Sequence, residues 1–409
     1  MDSTNSAVAE DSLMQVKLLE HLERLELLDR FSGDTNVCWT GYEAILSNQF
    51  ENGGLTMADN QQNYATPSSV RSVTSYPARR GFKQGPVDPS LDHVIGVEDS
   101  IDIHCHAHEG QQDALGVAKL ASKSGMKGIL YKTIVGRKDP AGTVAGVRTA
   151  LDSWCAEKGF TPVHVWPGSS VTQGFLSKIE PAWSAKMLNA GVVGLWMPNN
   201  TSANTLSIVG GKPSAWDKTA DPKAHTEPLS WPEALKYGHY LLDDNGRLLP
   251  EIEEIFRMAH DRGAAIFFGH PTKPEFKAMA EFSQKIGFKK GVVDHPFSPF
   301  VNLTIEEMKD AASAGLWLNF TFDELSPLLG IDPANMYKAI RTIGPEHCTL
   351  SSDAGEPLFP NSVESLRLLR GYMSAFGCSA DEIYTMCTVN PAFIVGLDLT
   401  TAQRASAAV

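Results

Sequence analysis

From residue 92 onward, short apolar runs typical of buried strands alternate with longer stretches of helical periodicity. Eight strand–helix pairs follow one another, which restricts the chain to a parallel α/β fold and matches the count of a (β/α)₈ barrel. Most of the helical stretches end at a glycine, the residue that a helix-to-strand turn prefers. The predicted strands cover residues 101–106, 127–132, 162–166, 192–197, 264–269, 291–295, 315–320 and 348–353. The predicted helices cover residues 111–124, 142–158, 177–189, 250–262, 273–286, 304–314, 333–343 and 361–376.

A doubly wound open sheet would show the same alternation of strands and helices. That fold commonly binds nucleotides through a glycine-rich loop that directly follows a strand. No predicted strand of this sequence is followed by such a loop. We therefore predict the barrel.

The N-terminal part of the chain differs in composition from the barrel. Across residues 13–31, leucine and valine recur at helical spacing among charged residues, which predicts an amphipathic helix. Residues 50–90 are rich in Asn, Gln, Ser, Gly and Pro, as in a linker or an extended arm. We divide the chain into an N-terminal extension, residues 1–91, and a barrel, residues 92–409. The helix packs either on its own domain or on another subunit, and the second alternative predicts a homo-oligomer.

One connection within the barrel is much longer than the others. Residues 198–249 separate the fourth strand from the next helix, whereas such loops normally need ~2–6 residues. An insertion of this size at the C-terminal face of a barrel typically covers the substrate. We expect Trp216 and Trp231 to contact the substrate from this lid. An Asn-Gly pair at 245–246, flanked by apolar residues, predicts a short hairpin inside it.

The formal net charge of −13 argues against nucleic acid or an anionic membrane surface as a partner. No window approaches the ~18 uninterrupted apolar residues of a membrane span, and the N-terminus has neither the basic start nor the apolar run of an export signal. The six cysteines form no Cys-x-x-Cys pair, which is typical of reduced thiols in a cytosolic protein. We therefore expect a cytoplasmic protein whose partner is a small-molecule substrate.

Histidine and aspartate residues stand at the carboxyl ends of four predicted strands, where the active sites of barrels lie. Each alone has an ordinary explanation, such as a hydrogen-bonded histidine or an aspartate in a turn. Together they supply the ligand types of a hydrolytic zinc, manganese or iron centre. The residues are His104 and His106 on the first strand, His270 on the fifth, His295 on the sixth and Asp353 on the eighth.

This five-residue pattern resembles that of the amidohydrolase superfamily of metal-dependent barrels, over roughly residues 95–396. The resemblance implies a divalent metal ion, with zinc expected ahead of manganese or iron. Binuclear members carry a carboxylated Lys or a Glu at the end of the fourth strand. Residues 191–198 contain neither, so the chain resembles the mononuclear branch. The metal ligands that this branch implies are His104, His106, His270 and Asp353.

The same resemblance implies the catalytic residues. A metal ion held by these ligands lowers the pKa of a bound water from ~15.7 toward ~7. Asp353 then accepts a proton from the water and returns it to the leaving group. His295 stabilises the developing oxyanion or relays a proton.

Lys132 ends the second predicted strand and is open to three interpretations. It binds a carboxylate or oxyanion of the substrate, it reaches solvent at the rim, or it is carbamylated and bridges two metal ions. Arg137, just downstream, makes the mouth of the barrel locally basic, which favours an anionic substrate. Lys132 and Arg137 are therefore predicted to bind the substrate, together with the two tryptophans of the lid.

The predicted reaction is hydrolysis at a carbonyl-type carbon of an amide, lactone, ester or imine in a small anionic molecule. A metal-dependent non-oxidative decarboxylase with the same ligands is one alternative, and release of carbon dioxide without net consumption of water distinguishes it. A non-catalytic barrel that serves as a binding or assembly module is the other alternative. Failure of the purified protein to retain any metal would favour that module.

Overall fold

The chain folds into a closed barrel of eight parallel strands, in a computed structural model that describes residues 96–107, 112–134, 139–174, 177–210, 228–327, 329–355 and 359–399. Each strand is hydrogen-bonded to the next one in sequence order, so the predicted (β/α)₈ barrel is confirmed. The predicted helix at 13–31, and with it the basis of the homo-oligomer prediction, lies outside the described residues. The strands are β1 (Ile101–Ala107), β2 (Gly128–Ile134), β3 (His164–Ser170), β4 (Gly194–Trp196), β5 (Ala265–Phe267), β6 (Gly291–Asp294), β7 (Trp317–Thr321) and β8 (Cys348–Ser351).

All eight helices predicted for the barrel are present, and the described residues contain five further short helices that were not predicted. Side chains cap many of their N-termini; Thr272 and Glu275, for example, form a reciprocal capping box. No helix in the described part of the chain is both long and apolar enough to cross a membrane. The helices are α1 (Ala114–Lys123), α2 (Pro140–Lys158), α3 (Pro181–Asn189), α4 (Ala203–Val209), α5 (Trp231–Tyr237), α6 (Pro250–Arg262), α7 (Lys273–Ile286), α8 (Ile305–Ser313), α9 (Phe322–Leu325), α10 (Pro333–Ile343), α11 (Ser362–Phe376), α12 (Ala380–Tyr384) and α13 (Asn390–Val395).

The barrel closes between its last and first strands. The backbone N–H of Asp353 donates to the carbonyl of His104 at 2.8 Å, and that of His106 donates to the carbonyl of Ala354 at 3.0 Å. These bonds lie at the carboxyl ends of both strands. Closure therefore joins the backbone of His104 directly to that of Asp353, and the backbone of His106 to that of the residue after Asp353.

Strand β1 departs from simple alternation, which the sequence did not predict. Its register against β2 shifts between Asp102 and Cys105. Ile103 belongs to the apolar cluster inside the barrel, and the adjacent His104 also faces the interior, with its ring 5.8 Å from that of Trp196. Neighbouring residues of a regular strand point to opposite faces. The irregularity therefore allows an apolar floor and a polar site to follow each other on one strand.

Large apolar side chains fill the barrel below the site. The rings of Trp196 and Phe267 stack with their centroids 3.8 Å apart. Gly168 on β3 makes room for this stack, because a Cβ there would lie 2.5 Å from the Trp196 ring and 2.7 Å from the carbonyl oxygen of Tyr131. Residues of α13 join the same cluster and close the opposite end. The site thus rests on a packed core and not on a pore.

The insertion at 198–249 contains the helices α4 and α5, which pack together around a small apolar core of their own. The predicted hairpin is confirmed in a short form: Leu242 and Leu248 make one antiparallel bridge across the turn. Trp216 lies in the stretch 211–227, outside the described residues. The sequence did not predict α4 and α5, because helices of seven residues are too short to show a clear helical period of apolar residues.

A pair of glycine substitutions tests the packing of the floor. Gly168→Ala should lower the free energy of unfolding by about 1–3 kcal/mol, because the new methyl group overlaps both a ring and a backbone oxygen. Gly146→Ala is the matched control: Gly146 lies within α2 with no heavy atom within 4 Å of its Cβ position. It should raise the same quantity by about 0.5–1 kcal/mol. Urea unfolding measures both, and a neutral Gly168→Ala would contradict the close packing described here.

Candidate metal centre

Strands β1 and β8 bring two imidazoles and one carboxylate together. Oδ1 of Asp353 lies 3.0 Å from Nε2 of His104 and 2.9 Å from Nε2 of His106. The three ligand atoms all lie within 4.8 Å of one another. Nitrogen and oxygen ligands sit ~2.0–2.2 Å from a zinc ion, so one ion can contact all three atoms. Three of the four predicted ligands therefore form one group.

His104 has a buried ring nitrogen that no hydrogen bond satisfies. Its Nδ1 lies 3.0 Å from Oδ1 of Asp294, which only accepts, so Nδ1 carries the hydrogen. Nε2 is fully buried and makes no hydrogen bond, although it lies 3.0 Å from Asp353. Nε2 and the carboxylate face each other without a hydrogen bond, an arrangement that a shared cation, either a proton or a metal ion, satisfies. The chain's own residues thus fit a metal ion at this place.

Asp294 holds His104 through a buried polar network. Besides His104, its carboxylate accepts hydrogen bonds from Trp196 Nε1 at 2.9 Å and from Asn319 Nδ2 at 2.8 Å. Oδ1 of Asn319 in turn accepts from the hydroxyls of two residues on β8, Thr349 and Ser351. The network spans five strands and fixes both the tautomer and the orientation of the His104 ring. Sequence reasoning missed these residues, because each by itself is an ordinary strand residue.

The imidazoles of His104, His106 and His295 differ in how readily they are protonated. Burial disfavours a charged His104, but Asp294 and Asp353 outweigh this effect and raise its pKa to about 9. Burial lowers the pKa of His106 and that of His295 to about 4, against the attraction of Asp353. At neutral pH, His106 and His295 are therefore neutral, the form that binds a metal or accepts a proton. The proton on His104 is one that a metal ion would replace.

His295 lies beside this group without joining it. Its Nε2 is 3.9 Å from Oδ2 of Asp353, and its Nδ1 is 3.1 Å from the hydroxyl of Ser298. His295 and Asp353 both have left-handed backbones, with φ of 33° and 46°. Such strain in residues other than glycine is typical of functional sites. The position agrees with the predicted acid–base role, which stays a prediction.

His270 is turned toward different partners. Its Nδ1 lies 2.8 Å from the hydroxyl of Thr205 on α4, and its ring stacks on Phe300 with the centroids 4.4 Å apart. Its Nε2 lies 3.1 Å from the side-chain amide of Asn199. His270 is outside the group of three ligand atoms, although its ring centroid is 5.0 Å from that of His295. Its role as a fourth ligand stays a prediction.

Lys132 is buried, with 8% of its surface exposed, so it is not a solvent-reaching residue at the rim. Its Nζ lies 3.2 Å from the same amide of Asn199. Trp231, the other predicted contact that the structure describes, is 40% exposed on α5 and packs edge-on against Tyr240. Arg137 lies outside the described residues, as Trp216 does. The predicted roles of these residues in substrate binding stay predictions.

Asp323 is a further acidic residue near the centre that sequence reasoning missed. It follows β7 at the start of α9 and accepts a hydrogen bond from the hydroxyl of Thr321. Burial and the negative charge of Asp353 raise its pKa well above the ordinary value. Its position just after a strand end was the only signal in the sequence, since β7 carries no histidine there.

The family model described as "Family of unknown function (DUF6282)" matches residues 99–319 of the chain. The match begins before the His-x-His pair of β1 and ends within β7, so it includes His104, His106, His270 and His295. No curated protein sequence matches this chain.

Solved structures of several enzymes resemble the chain. An amidohydrolase from Pseudomonas aeruginosa is 12% identical, with a TM-score of 0.46, and the match covers 76% of this chain and 100% of that one. A putative 2-pyrone-4,6-dicarboxylic acid hydrolase from Pseudomonas putida is 15% identical, with a TM-score of 0.41 and coverage of 74% and 99%. A 2,6-dihydroxybenzoate decarboxylase from Rhizobium is 10% identical, with a TM-score of 0.39 and coverage of 74% and 100%. At these identities and TM-scores, neither the reaction nor the substrate of this chain follows from these structures.

Asp294→Asn tests the network that holds His104. The neutral amide accepts more weakly and brings its own donors against Trp196 and Asn319, so metal affinity should fall by about 10–100-fold. His106→Ala, which removes a ligand, should abolish stoichiometric binding, and Asp261→Asn on the exposed side of α6 should change nothing. Competition with a chelator measures all three affinities. Wild-type affinity in Asp294→Asn would show that the network does not support the centre.

Proposed function

Because the chain belongs to the DUF6282 family, whose function is unknown, we propose its activity from the chemistry of the site. We propose that the protein is a metal-dependent hydrolase that acts at a carbonyl-type carbon of a small anionic molecule. The amide, lactone, ester and imine bonds of such molecules are the candidate targets. The observation that carries the proposal is the unsatisfied Nε2 of His104 beside His106 and Asp353.

The three residues would hold a divalent ion, with His270 as the predicted fourth ligand. When bound, such an ion acidifies water from a pKa of ~15.7 toward ~7 and polarises a carbonyl oxygen. We expect one ion per chain, because the end of β4 offers no Lys or Glu as a second bridge. Zinc suits this set of nitrogen and oxygen donors, and manganese or iron are the alternatives.

Asp353 is the proposed proton acceptor. Burial would raise the pKa of its carboxyl group, but the charge of His104 and the hydrogen bond from His106 hold that pKa well below the ordinary value. The carboxylate therefore stays ionised at neutral pH. In this proposal it accepts a proton from the attacking water and returns it to the leaving group.

His295 is the proposed second acid–base group. It is buried and neutral at neutral pH, and its Nε2 faces Oδ2 of Asp353 at 3.9 Å. The hydroxyl of Ser298 contacts the other ring nitrogen and orients the ring. From this position His295 donates to a developing oxyanion or carries a proton between Asp353 and the substrate.

Decarboxylation is the second candidate reaction, and Lys132 favours it by placing a buried cation near the centre. Loss of carbon dioxide requires a bound carboxylate and an acid that protonates the resulting carbanion. His295 is the predicted acid, but its pKa of about 4 makes it neutral at neutral pH, so it would first have to take up a proton. The raised pKa of Asp323 also favours its protonated form, which supplies a proton to the same region.

Elemental analysis of the purified protein, combined with a panel of amide, lactone, ester, imine and carboxylate substrates, tests the proposal. We expect one equivalent of metal and water-consuming turnover of at least one substrate class. Carbon dioxide release without water consumption would assign the decarboxylase instead. A protein that binds no metal and turns over no substrate would be the non-catalytic barrel.

His295→Asn should reduce turnover by about 10²–10⁴-fold with the metal content unchanged, because it removes an acid–base group but not a ligand. The matched control is His164→Asn, at the exposed start of β3 and thus at the opposite end of the barrel. It should retain wild-type turnover. Loss of metal from His295→Asn would show instead that His295 is a ligand.

A further inference from the structure

We propose that Lys132 and Asn199 form an anion-binding subsite that takes a carboxylate group of the substrate. The inference rests on the proposed function in one respect only, namely that the ligand of the subsite is the substrate. It identifies which residues would recognise the anion and which chemical class of anion they would accept. Asn199 was not among the residues that sequence reasoning singled out.

The ammonium group of Lys132 is buried and forms no ion pair with a carboxylate of the described residues. Only 8% of the residue is exposed. No carboxylate oxygen of the described residues lies within 4.0 Å of its Nζ, the limit for an ion pair. A buried charge without a partner costs several kcal/mol. An anionic ligand that enters the site would remove this cost.

Among the described residues, the hydrogen-bond acceptor of Lys132 is a neutral side-chain amide, that of Asn199. When the amide nitrogen of Asn199 donates to the carbonyl of Met197 at 3.0 Å, its Oδ1 accepts from Lys132 Nζ at 3.2 Å and lies 3.1 Å from Nε2 of His270. Two nitrogen groups thus converge on one oxygen. An ammonium has three donors, and Asn199 occupies one of them.

The acidic residues nearby are engaged elsewhere. Asp294 accepts hydrogen bonds from His104, Trp196 and Asn319. Asp353 faces histidines of the metal centre. Asp323 accepts a hydrogen bond from the hydroxyl of Thr321. None of the three carboxylates forms an ion pair with Lys132 in the described structure.

The neighbouring strand adds uncharged polar groups. Lys132 lies beside Gly168: a Cβ added at Gly168 would be 3.3 Å from the Cα of Lys132. Ser170 follows two residues later on the same face of β3, and its hydroxyl lies 2.9 Å from that of Thr172. Hydroxyls can donate to the second oxygen of a bound carboxylate.

This composition favours a carboxylate over a phosphate. Among the described residues, the subsite holds one cation, Lys132, and one neutral amide, Asn199. Protein sites for phosphate dianions typically use Arg forks or the N-terminus of a helix. A monoanion matches a single ammonium in charge, so a small organic acid is the expected ligand.

Calorimetric titration of the holoprotein with acetate and benzoate, and with inorganic phosphate for comparison, tests the subsite. Wild-type protein should bind the carboxylates and prefer them to phosphate. Lys132→Met should weaken carboxylate binding by about 10–100-fold, the effect expected for a lost hydrogen bond to a charged group. Asn199→Asp should weaken it at least as much, because it places a fixed carboxylate against Lys132. The metal content should stay constant in both variants.

Lys127→Met is the matched control. Lys127 precedes the same strand β2 at its other end and pairs with Asp99, so carboxylate binding should not change. Thermal melting of each variant establishes that it is folded. Equal carboxylate affinity in wild type and Lys132→Met would overturn the subsite. Loss of metal from Lys132→Ala, partly restored by a small carboxylic acid, would replace it by a bridging carbamate.

The two proposals fail in different ways. Metal binding and hydrolysis without carboxylate recognition by Lys132 would remove the subsite and leave the hydrolase. Carboxylate binding that depends on Lys132, in a protein without metal or turnover, would support the subsite and overturn the hydrolase.

Discussion

Backbone hydrogen bonding between β8 and β1 closes the barrel, and the metal centre depends on that closure. The N–H of Asp353 donates to the carbonyl of His104, which joins a residue near the end of the chain to one near the start of the barrel. The strands are parallel, so all their carboxyl ends lie at one rim. Two imidazoles and a carboxylate that are separated by the whole barrel in sequence therefore become neighbours at about hydrogen-bond distance.

The buried charged groups at this rim differ in how many hydrogen-bond partners they have, and this difference indicates what the site binds. Asp294 has three donors and serves to orient His104. Among the described residues, the hydrogen-bond acceptor of Lys132 is the neutral amide of Asn199. Burial makes each unpaired group costly, so a group that stays unpaired indicates what the site is built to receive. The unsatisfied Nε2 of His104 indicates a cation, and the ammonium of Lys132 indicates an anion.

The hydrophobic pattern predicted the strands and the eight long helices because it reports which residues are buried. It also identified His104, His106 and Asp353, since residue type and strand-end position suffice when the fold is a barrel. It missed Asp294, Asn319 and Asn199, whose significance lies in partners on other strands. It missed the irregularity in β1 as well, because the backbone shift has no signature in residue type.

The sequence by itself determined the barrel, the rim on which the chemistry lies and most of the candidate ligands, because periodicity and residue type are local properties. Only the tertiary structure decided which of those candidates meet. It turned His270 toward Thr205 and Asn199, buried Lys132 and placed His104 between two carboxylates. The physical reason is that side-chain orientation depends on packing and hydrogen bonds between strands that are distant in sequence, which no local pattern encodes.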